Sequence, residues 1–303
     1  MEHYELLVIG GGAAGMAAAL AAERAGAARI LLAERDATLG GILTQCIHSG
    51  FGLGYFHEDL TGPEYAARFT ARIAQSGVEV CLETTVLELR ADKSALLCSA
   101  QGLRRIAFDR CILASGARET PLGALNVSGT RPAGIFTAGQ AQKLVNLGRY
   151  DIGQNIVILG SGDVGQIMAR RFTLLGKKVV AMVEISDRLG GLARNQRSCS
   201  EAYHIPVIYS AAVREVHGSG RISGVTVEHL DTGAREHIAC DTLVTAVGLI
   251  PERELAQPLT APDGALPDWL VPVGNCDFIH EIVDAVTVQA EAAGAASAVS
   301  QPR

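Results

Sequence analysis

No two cysteines stand close enough in this chain to suggest a redox pair. The seven, Cys46, Cys81, Cys98, Cys111, Cys199, Cys240 and Cys276, are scattered without any CxxC or CxxxxC spacing. This excludes a simple redox dithiol and argues against zinc or iron–sulfur ligation. In a chain that is 48% hydrophobic, most of them read as small buried apolar residues. A block of like charge is also missing. With a net charge of −6 and no basic stripe, nucleic acid is not expected as the main partner. No uninterrupted apolar run is long enough to span a bilayer. The N-terminus carries Glu2 and Glu5, lacks a basic region and is broken by glycines, so it reads as a strand and helix rather than a signal peptide. These absences predict a soluble, cytoplasmic protein. The length of 303 residues suggests about two domains.

What is present begins at Leu6. Leu6-Leu7-Val8-Ile9 reads as a buried parallel strand. Gly10, Gly12 and Gly15 follow in GxGxxG spacing, with Ala13 and Ala14 between them, and then a strong helix former runs from Met16 to Arg24. The first glycine allows a sharp turn. The second lets a pyrophosphate approach the backbone, and the third lets helix pack on strand. The helix N-terminus offers N–H groups and partial positive charge to that pyrophosphate. A second strand, Arg29 to Ala33, ends at Glu34, 24 residues after Gly10, where an acid meets a ribose hydroxyl. Arg35 follows it.

The same signal recurs. Ile156 to Leu159 reads as a strand, and Gly160, Gly162 and Gly165 frame Ser161, Asp163 and Val164. A helix follows towards Leu175, then a strand from Val179 to Val183 that ends at Glu184, again 24 residues on. The two fingerprints lie 150 residues apart. Two complete copies predict an α/β protein with two dinucleotide-binding units.

Between them lie Gly40-Gly41-Ile42-Leu43-Thr44 in a loop, a glycine-rich stretch from Gly50 to Gly54, and Thr61-Gly62-Pro63-Glu64, which reads as a capping box before a helix towards Gln75. Strands are predicted at 78–82, 85–89, 95–98, 105–108 and 111–114, the last running into Ser115-Gly116. A helical stretch is expected near 140–147. Later, a strand over 241–247 ends in Gly248, and Val271 to Asn275 reads as a short strand entering a helix. An Ala-rich helix is expected from about Ile282 to Val299.

Taken together, GGGAAG with Glu34, Ala114-Ser115-Gly116, GSGDVG with Glu184, Ala246-Val247-Gly248 with Pro251, and Gly274-Asn275 resemble the pyridine nucleotide-disulfide oxidoreductases. The resemblance covers essentially the whole chain. It implies two Rossmann-like three-layer domains, with an NAD(P)-binding domain over residues 119–247 inserted into an FAD domain split between 1–118 and 248–303. In size the chain is similar to the short members such as bacterial thioredoxin reductase. Those carry a CxxC before the second fingerprint, where this chain reads Ile135-Phe136-Thr137-Ala138-Gly139-Gln140. Gly41-Ile42-Leu43-Thr44-Gln45-Cys46-Ile47-His48 and Asp284 to Glu291 look like segments of small subunits that accompany a second flavoprotein. Examples are relatives of opine oxidase and hydrogen cyanide synthase subunits and the partners of glycerol-3-phosphate dehydrogenase-like proteins.

The resemblance implies an FAD site drawn from Gly10, Gly12, Ala13, Ala14, Gly15, Glu34, Arg35, Gly41, Ile42, Leu43, Val86, Ser115, Gly116, Gly274 and Asn275. It implies a nicotinamide nucleotide site drawn from Gly160, Gly162, Asp163, Val164, Gly165, Glu184 and Gly248. Glu184 would repel a 2′-phosphate, so NAD(H) is expected over NADP(H), with Arg188 as a possible counterweight. Asn275 stands where the family has an aspartate on the ribityl chain, and Asn can still hydrogen-bond a hydroxyl. Hydride would pass between nicotinamide and flavin, and electrons to or from a second protein subunit docking near residues 42–54. A homo-oligomer remains open.

Cys46 has two readings. It lies near where single-cysteine NADH oxidases and peroxidases of the family hold a redox thiol, acidified beside a helix N-terminus. Alternatively it is a buried thiol without chemistry. His48 and His57 are proton-donor candidates or plain loop residues. His280, Glu281 and Asp284 resemble a metal cluster but sit at a predicted helix start, where acids favour the dipole, and no metal is expected. Phe51, Tyr55 and Phe56 either face a partner or pack into the core. A third reading of the whole is a non-catalytic nucleotide-binding subunit.

Overall fold

The computed structural model describes residues 1–298. They divide into two compact units, one of Met1–Arg118 with the chain from Ile250 onward, the other of Glu119–Leu249. Each unit is a Rossmann-like three-layer sandwich.

In the first unit, β1 (Glu2–Ile9) is buried continuously from Leu6 to Ile9 and turns into α1 (Ala13–Arg24), itself buried from Ala13 to Ala22. A strand covered on both faces reads as an unbroken apolar run, as this one does. There follow β2 (Ile30–Ala33), α2 (Gly62–Ala74), β3 (Glu79–Cys81), β4 (Thr85–Leu89), β5 (Ser94–Ser99) and β6 (Gly102–Leu113). The parallel order is β3-β2-β1-β6. β6 is a single strand where the sequence suggested two. Its first half pairs antiparallel with β5, and its second half runs parallel to β1. β4 completes an antiparallel meander. The capping box forms at the start of α2: the Glu64 N–H donates to Thr61 Oγ1, and the Thr61 N–H donates to Glu64 Oε2 at 2.8 Å.

The second unit contains β7 (Ile135–Thr137), α3 (Ala138–Asn146), β8 (Asn155–Leu159), α4 (Asp163–Leu174), β9 (Lys178–Val183), β10 (Val207–Ile208), β11 (Ala211–Gly218), β12 (Ile222–His229), β13 (Arg235–Ala239) and β14 (Thr242–Thr245). The parallel sheet runs β7-β14-β8-β9-β10. β11, β12 and β13 form an antiparallel layer on its far face, where Val213, Val216, Val225 and Val227 meet Val157 and Leu243. Helices α3 and α4 cover the near face through Ala141, Val145, Met168 and Phe172.

The chain then returns to the first unit. β15 (Leu270–Pro272) pairs parallel with β6. It does not enter a helix directly. A 3-10 turn over Gly274–Cys276 follows, and α5 (Val283–Ser297) starts only after it. The expected end at Val299 lies outside the described residues. α5 crosses α1 where Gly294 meets Ala18, and a Cβ at residue 294 would collide with the Ala18 carbonyl. Small residues on both helices allow this contact, and together with α2 they cover the sheet face that carries Leu6 and Val8.

Candidate nucleotide-binding sites

In the first unit the β1–α1 turn is built from two kinds of glycine. Gly10 has φ +105° and abuts the Ala114 carbonyl, so a side chain there is both strained and crowded. At Gly15 a Cβ would strike the Gly10 carbonyl, so packing forces glycine. Gly12 is different. The nearest atom a Cβ would meet is Gly41 Cα at 4.0 Å, so the protein itself leaves room for a side chain. What requires glycine there is space in front of the helix N-terminus, the cradle that a pyrophosphate fills.

Other expected residues gather round that turn. The Gly11 N–H donates to Glu34 Oε2 at 2.6 Å and the Asp36 N–H to Glu34 Oε1 at 2.8 Å, which fixes the buried carboxylate beside the fingerprint. Gly41 lies against Gly12, and Gly274 against Ala14 and Val286. The Gly274 N–H donates to Gln289 Oε1 at 2.8 Å, which joins the turn before α5 to the helix itself. Asn275 Oδ1 accepts the His280 N–H at 3.0 Å. The Ser115 hydroxyl donates to the Glu252 carbonyl, and the Gly116 carbonyl accepts the Glu252 N–H. Ile42 and Arg35 are exposed, Leu43 is buried, and the Val86 side chain sits in the core beneath the sheet.

The second unit repeats the pattern. Gly160 has φ +100° and abuts the Ala246 carbonyl, and a Cβ on Gly165 would strike Gly160. At Gly162 a Cβ would meet nothing within 4 Å. Glu184 is buried and accepts the Ser161 N–H, the Ser161 hydroxyl and the Ser186 N–H, at 2.9, 2.6 and 2.9 Å. Burial pushes its pKa up, but these hydrogen bonds outweigh it and hold the carboxyl below its usual value. Asp163 and the exposed Val164 begin α4. Gly248 has φ +105°, and its carbonyl accepts the Thr120 N–H. Ser161 is the residue that sequence reasoning passed over here.

Cys46 does not have the environment of an activated thiol. It caps the 3-10 turn Gly41–Gln45 with its Sγ–H pointing at the Ile42 carbonyl, 3.3 Å away. Its carbonyl accepts the Gly62 N–H at the start of α2, yet burial dominates and pushes the thiol up to about 12. His48 lies against Phe51 and donates from Nδ1 to the Ser49 carbonyl. Phe51, Tyr55 and Phe56 pack against the first unit's core, and Tyr55 and Phe56 join one aromatic cluster with Tyr65 and Phe69. Among the described residues no three or more His, Cys, Asp or Glu side chains are grouped so as to hold a metal ion; Asp284 has other partners. Its carboxylate accepts the N–H groups of Gly52, Gly54 and Tyr55. An apolar groove of about 660 Å³ opens beside it, lined by Tyr55, Phe278, His280, Ile282 and Val288. Among the described residues no helix is long and apolar enough to cross a membrane.

Residues 4–265 match the family described as pyridine nucleotide-disulphide oxidoreductase. The chain belongs to this family. The family is one of oxidoreductases that use a pyridine nucleotide. Sarcosine oxidase subunit alpha of Rhizobium meliloti is 31% identical over 84% of this chain, which spans 25% of that relative. Thioredoxin reductase of Treponema pallidum is 25% identical over 82% of this chain and 77% of its own. Hydrogen cyanide synthase subunit HcnB of Pseudomonas protegens is 25% identical over 83% of this chain and 58% of its own. The chain thus spans between a quarter and three quarters of these relatives. In fold, this oxidoreductase superposes on thioredoxin reductase of T. acidophilum with a TM-score of 0.78 at 19% identity, covering 99% of this chain and all of the other.

Proposed function

We propose that this oxidoreductase is an NADH-dependent FAD enzyme that exchanges electrons with a second protein subunit. The observation that carries the reading is the pair of fingerprint turns. In each, two glycines are fixed by packing, the middle one faces open space, and a buried glutamate stands beside the turn. In this reading the first unit, closed by Gly41 and Gly274, holds FAD, with Asn275 on its ribityl chain. The second unit holds NAD(H), with Glu184 on the adenosine ribose and against a 2′-phosphate. Bound FAD and nicotinamide supply the hydride chemistry, and the chain supplies position and electrostatics.

Both of the named relatives that are subunits of larger enzymes support a protein partner. On the expected docking side, Ile42, Ile47 and Leu53 are exposed apolar residues. The nearby aromatic residues Phe51, Tyr55 and Phe56 are half-buried and pack against the first unit's core. Against the single-cysteine oxidase reading stands the environment of the half-buried Cys46, which pushes its thiol up and not down.

Anaerobic titration of the purified protein with NADH tests the reading. Bleaching of a yellow FAD chromophore, with dye reduction but little oxygen turnover in the absence of a partner, is the expected result. A colourless protein that binds nucleotides without reduction would leave only a binding subunit.

A further inference from the structure

The two fingerprints and their acids are not the only elements repeated at a distance of 150 residues. Leu39-Gly40-Gly41 recurs as Leu189-Gly190-Gly191. In each unit this loop folds over the middle glycine of the fingerprint. Gly41 would bring a Cβ to 3.1 Å from Gly12 Cα, and Gly190 would bring one to 3.5 Å from Gly162 Cα.

What anchors the two loops differs. In the first unit the anchor is chiefly backbone and core, with one local side-chain bond, from the Thr44 hydroxyl to the Gly41 carbonyl at 2.8 Å. The Gly40 N–H donates to the Gly11 carbonyl at 2.8 Å, Leu43 is buried, and Gly62 is pressed against the carbonyls of Leu43 and Cys46. In the second unit the anchors are side chains. The Gly190 N–H donates to Ser161 Oγ at 3.0 Å, and its carbonyl accepts from Gln166 and Gln196 at 2.8 and 3.1 Å. Asp163 Oδ1 takes both the Leu192 N–H, at 2.8 Å, and the Asn195 side-chain amide, at 2.6 Å. The loop itself is largely exposed at Gly191, Ala193, Arg194 and Arg197. The first unit has Ala13 at the position of Asp163 and so has no such anchor.

We propose that Asp163 is a positioning residue: it latches the loop Leu189–Gln196 over the second unit's nucleotide site, and this releasable latch lets that nucleotide exchange while the first unit's stays held. The inference rests on the functional reading that the second unit binds a pyridine nucleotide. Asp163 then acts through the loop and not by touching the nucleotide. The physical ground is that the two bonds to half-buried Asp163 can release without disturbing the core, while Ser161 and Gln166 keep the loop's base in place; a roof seated on buried Leu43 cannot open so. Because both bonds end on one oxygen of Asp163, an asparagine at 163 keeps them through its carbonyl and an alanine loses them.

The test uses the full chain and the variants Asp163→Ala and Asp163→Asn. Limited trypsin digestion of nucleotide-free protein, read by mass at Arg188, Arg194 and Arg197, reports the latch. Cleavage severalfold faster in Asp163→Ala and unchanged in Asp163→Asn is expected. Calorimetric titration with NAD⁺ should show a Kd raised about tenfold in Asp163→Ala, the equivalent of about 1.4 kcal/mol, and raised less than about twofold in Asp163→Asn. FAD content should match the unaltered chain in both. Equal cleavage and equal Kd in Asp163→Ala would overturn the latch. Tighter binding in both variants would overturn it too, since the carboxylate would then be facing the phosphates. If the unaltered chain binds neither NAD⁺ nor NADP⁺, the functional reading of the second unit fails, and the digestion still reports whether Asp163 holds the loop.

Discussion

Glu184 Oε2 accepts both the backbone N–H and the hydroxyl of Ser161, so one residue of the fingerprint turn aims the acid twice. At the equivalent place Glu34 Oε2 receives the backbone N–H of Gly11, a residue with no hydroxyl to add. This fixed carboxylate is the basis for expecting NADH over NADPH, because a 2′-phosphate brought to it meets like charge. Glu184→Ala should weaken NADH by about tenfold, roughly 1.4 kcal/mol, and bring the two nucleotides towards equal efficiency. Stopped-flow flavin reduction with each nucleotide measures this. NADPH preferred by the unaltered chain would refute the expectation.

The same carboxylate carries a pH dependence. Its folded pKa lies below its unfolded value, so its contribution to stability is complete above the unfolded pKa and is lost as pH falls through the folded one. Melting curves of Glu184→Gln and the unaltered chain should differ at pH 7, and the gap should narrow as pH falls below the ordinary glutamate value of about 4.3. A gap that stays constant down to pH 3 would show that the ionised form is not favoured by folding.

The glycines of one fingerprint should fail in different ways. Gly162→Ala places a methyl group in open space, so the melting temperature should hold while nucleotide affinity falls about tenfold or more, ~1.4 kcal/mol. Gly160→Ala combines φ +100° with the Ala246 carbonyl and should lose stability of the order of 1–3 kcal/mol. Calorimetry of both variants, with and without NAD⁺, separates the two outcomes. A destabilised Gly162→Ala would mean that the cradle is filled by the protein.

The fingerprints, their acids and the parallel strands that carry them were legible because a buried strand, a glycine turn and an Ala-rich helix leave strong local signals, whereas the short edge strands β7 and β10 were not. Residues 185–240 gave no such signal. β11 and β12 are interrupted by register shifts at Val213/Glu215 and His217/Gly218, which break the period-2 alternation a strand reading needs. β6 was divided because its two halves serve different partners and its burial pattern changes midway. The second Leu-Gly-Gly was readable in principle from its 150-residue offset. Its link to Asp163 was not, since that depends on where a loop returns. At Cys46 position and environment pull apart: its place in the sequence suggests acidity, and its packing pushes the thiol up.

Burial pushes the Cys46 thiol up to about 12, so little of it is thiolate at pH 8. Iodoacetamide at pH 8 should leave it unmodified in the folded protein and label it after denaturation. Cys46→Ser should retain NADH–dye activity. Fast native labelling, or peroxide turnover abolished by Cys46→Ser, would restore a redox role.

The glycine-rich loop provides the last expectation. Three glycines between Gly50 and Gly54 would leave it mobile in isolation. Instead, Asp284 accepts Gly52 at 3.1 Å, Gly54 at 2.7 Å and Tyr55 at 3.3 Å. One turn on, Thr287 Oγ1 meets the Tyr65 hydroxyl at 2.7 Å, and Glu291 accepts the Tyr55 hydroxyl at 2.8 Å. These three lie on one face of α5, spaced by three and four residues, so the helix fastens the loop at Asp284 and Glu291 and α2 at Thr287. Asp284→Ala removes the acceptor for three N–H groups at a buried position, and each such group left without an acceptor costs about 1–3 kcal/mol. The variant should lose several degrees of melting temperature and digest faster at the loop. Asp284→Asn offers one carbonyl in place of two oxygens and should fall between. Tyr55→Ser should also destabilise, because its ring is part of the aromatic cluster, whereas Leu53→Ser, at a site 49% exposed, should leave the melting temperature unchanged. An Asp284→Ala protein that melts with the unaltered chain would show that the loop is held by its aromatic residues alone.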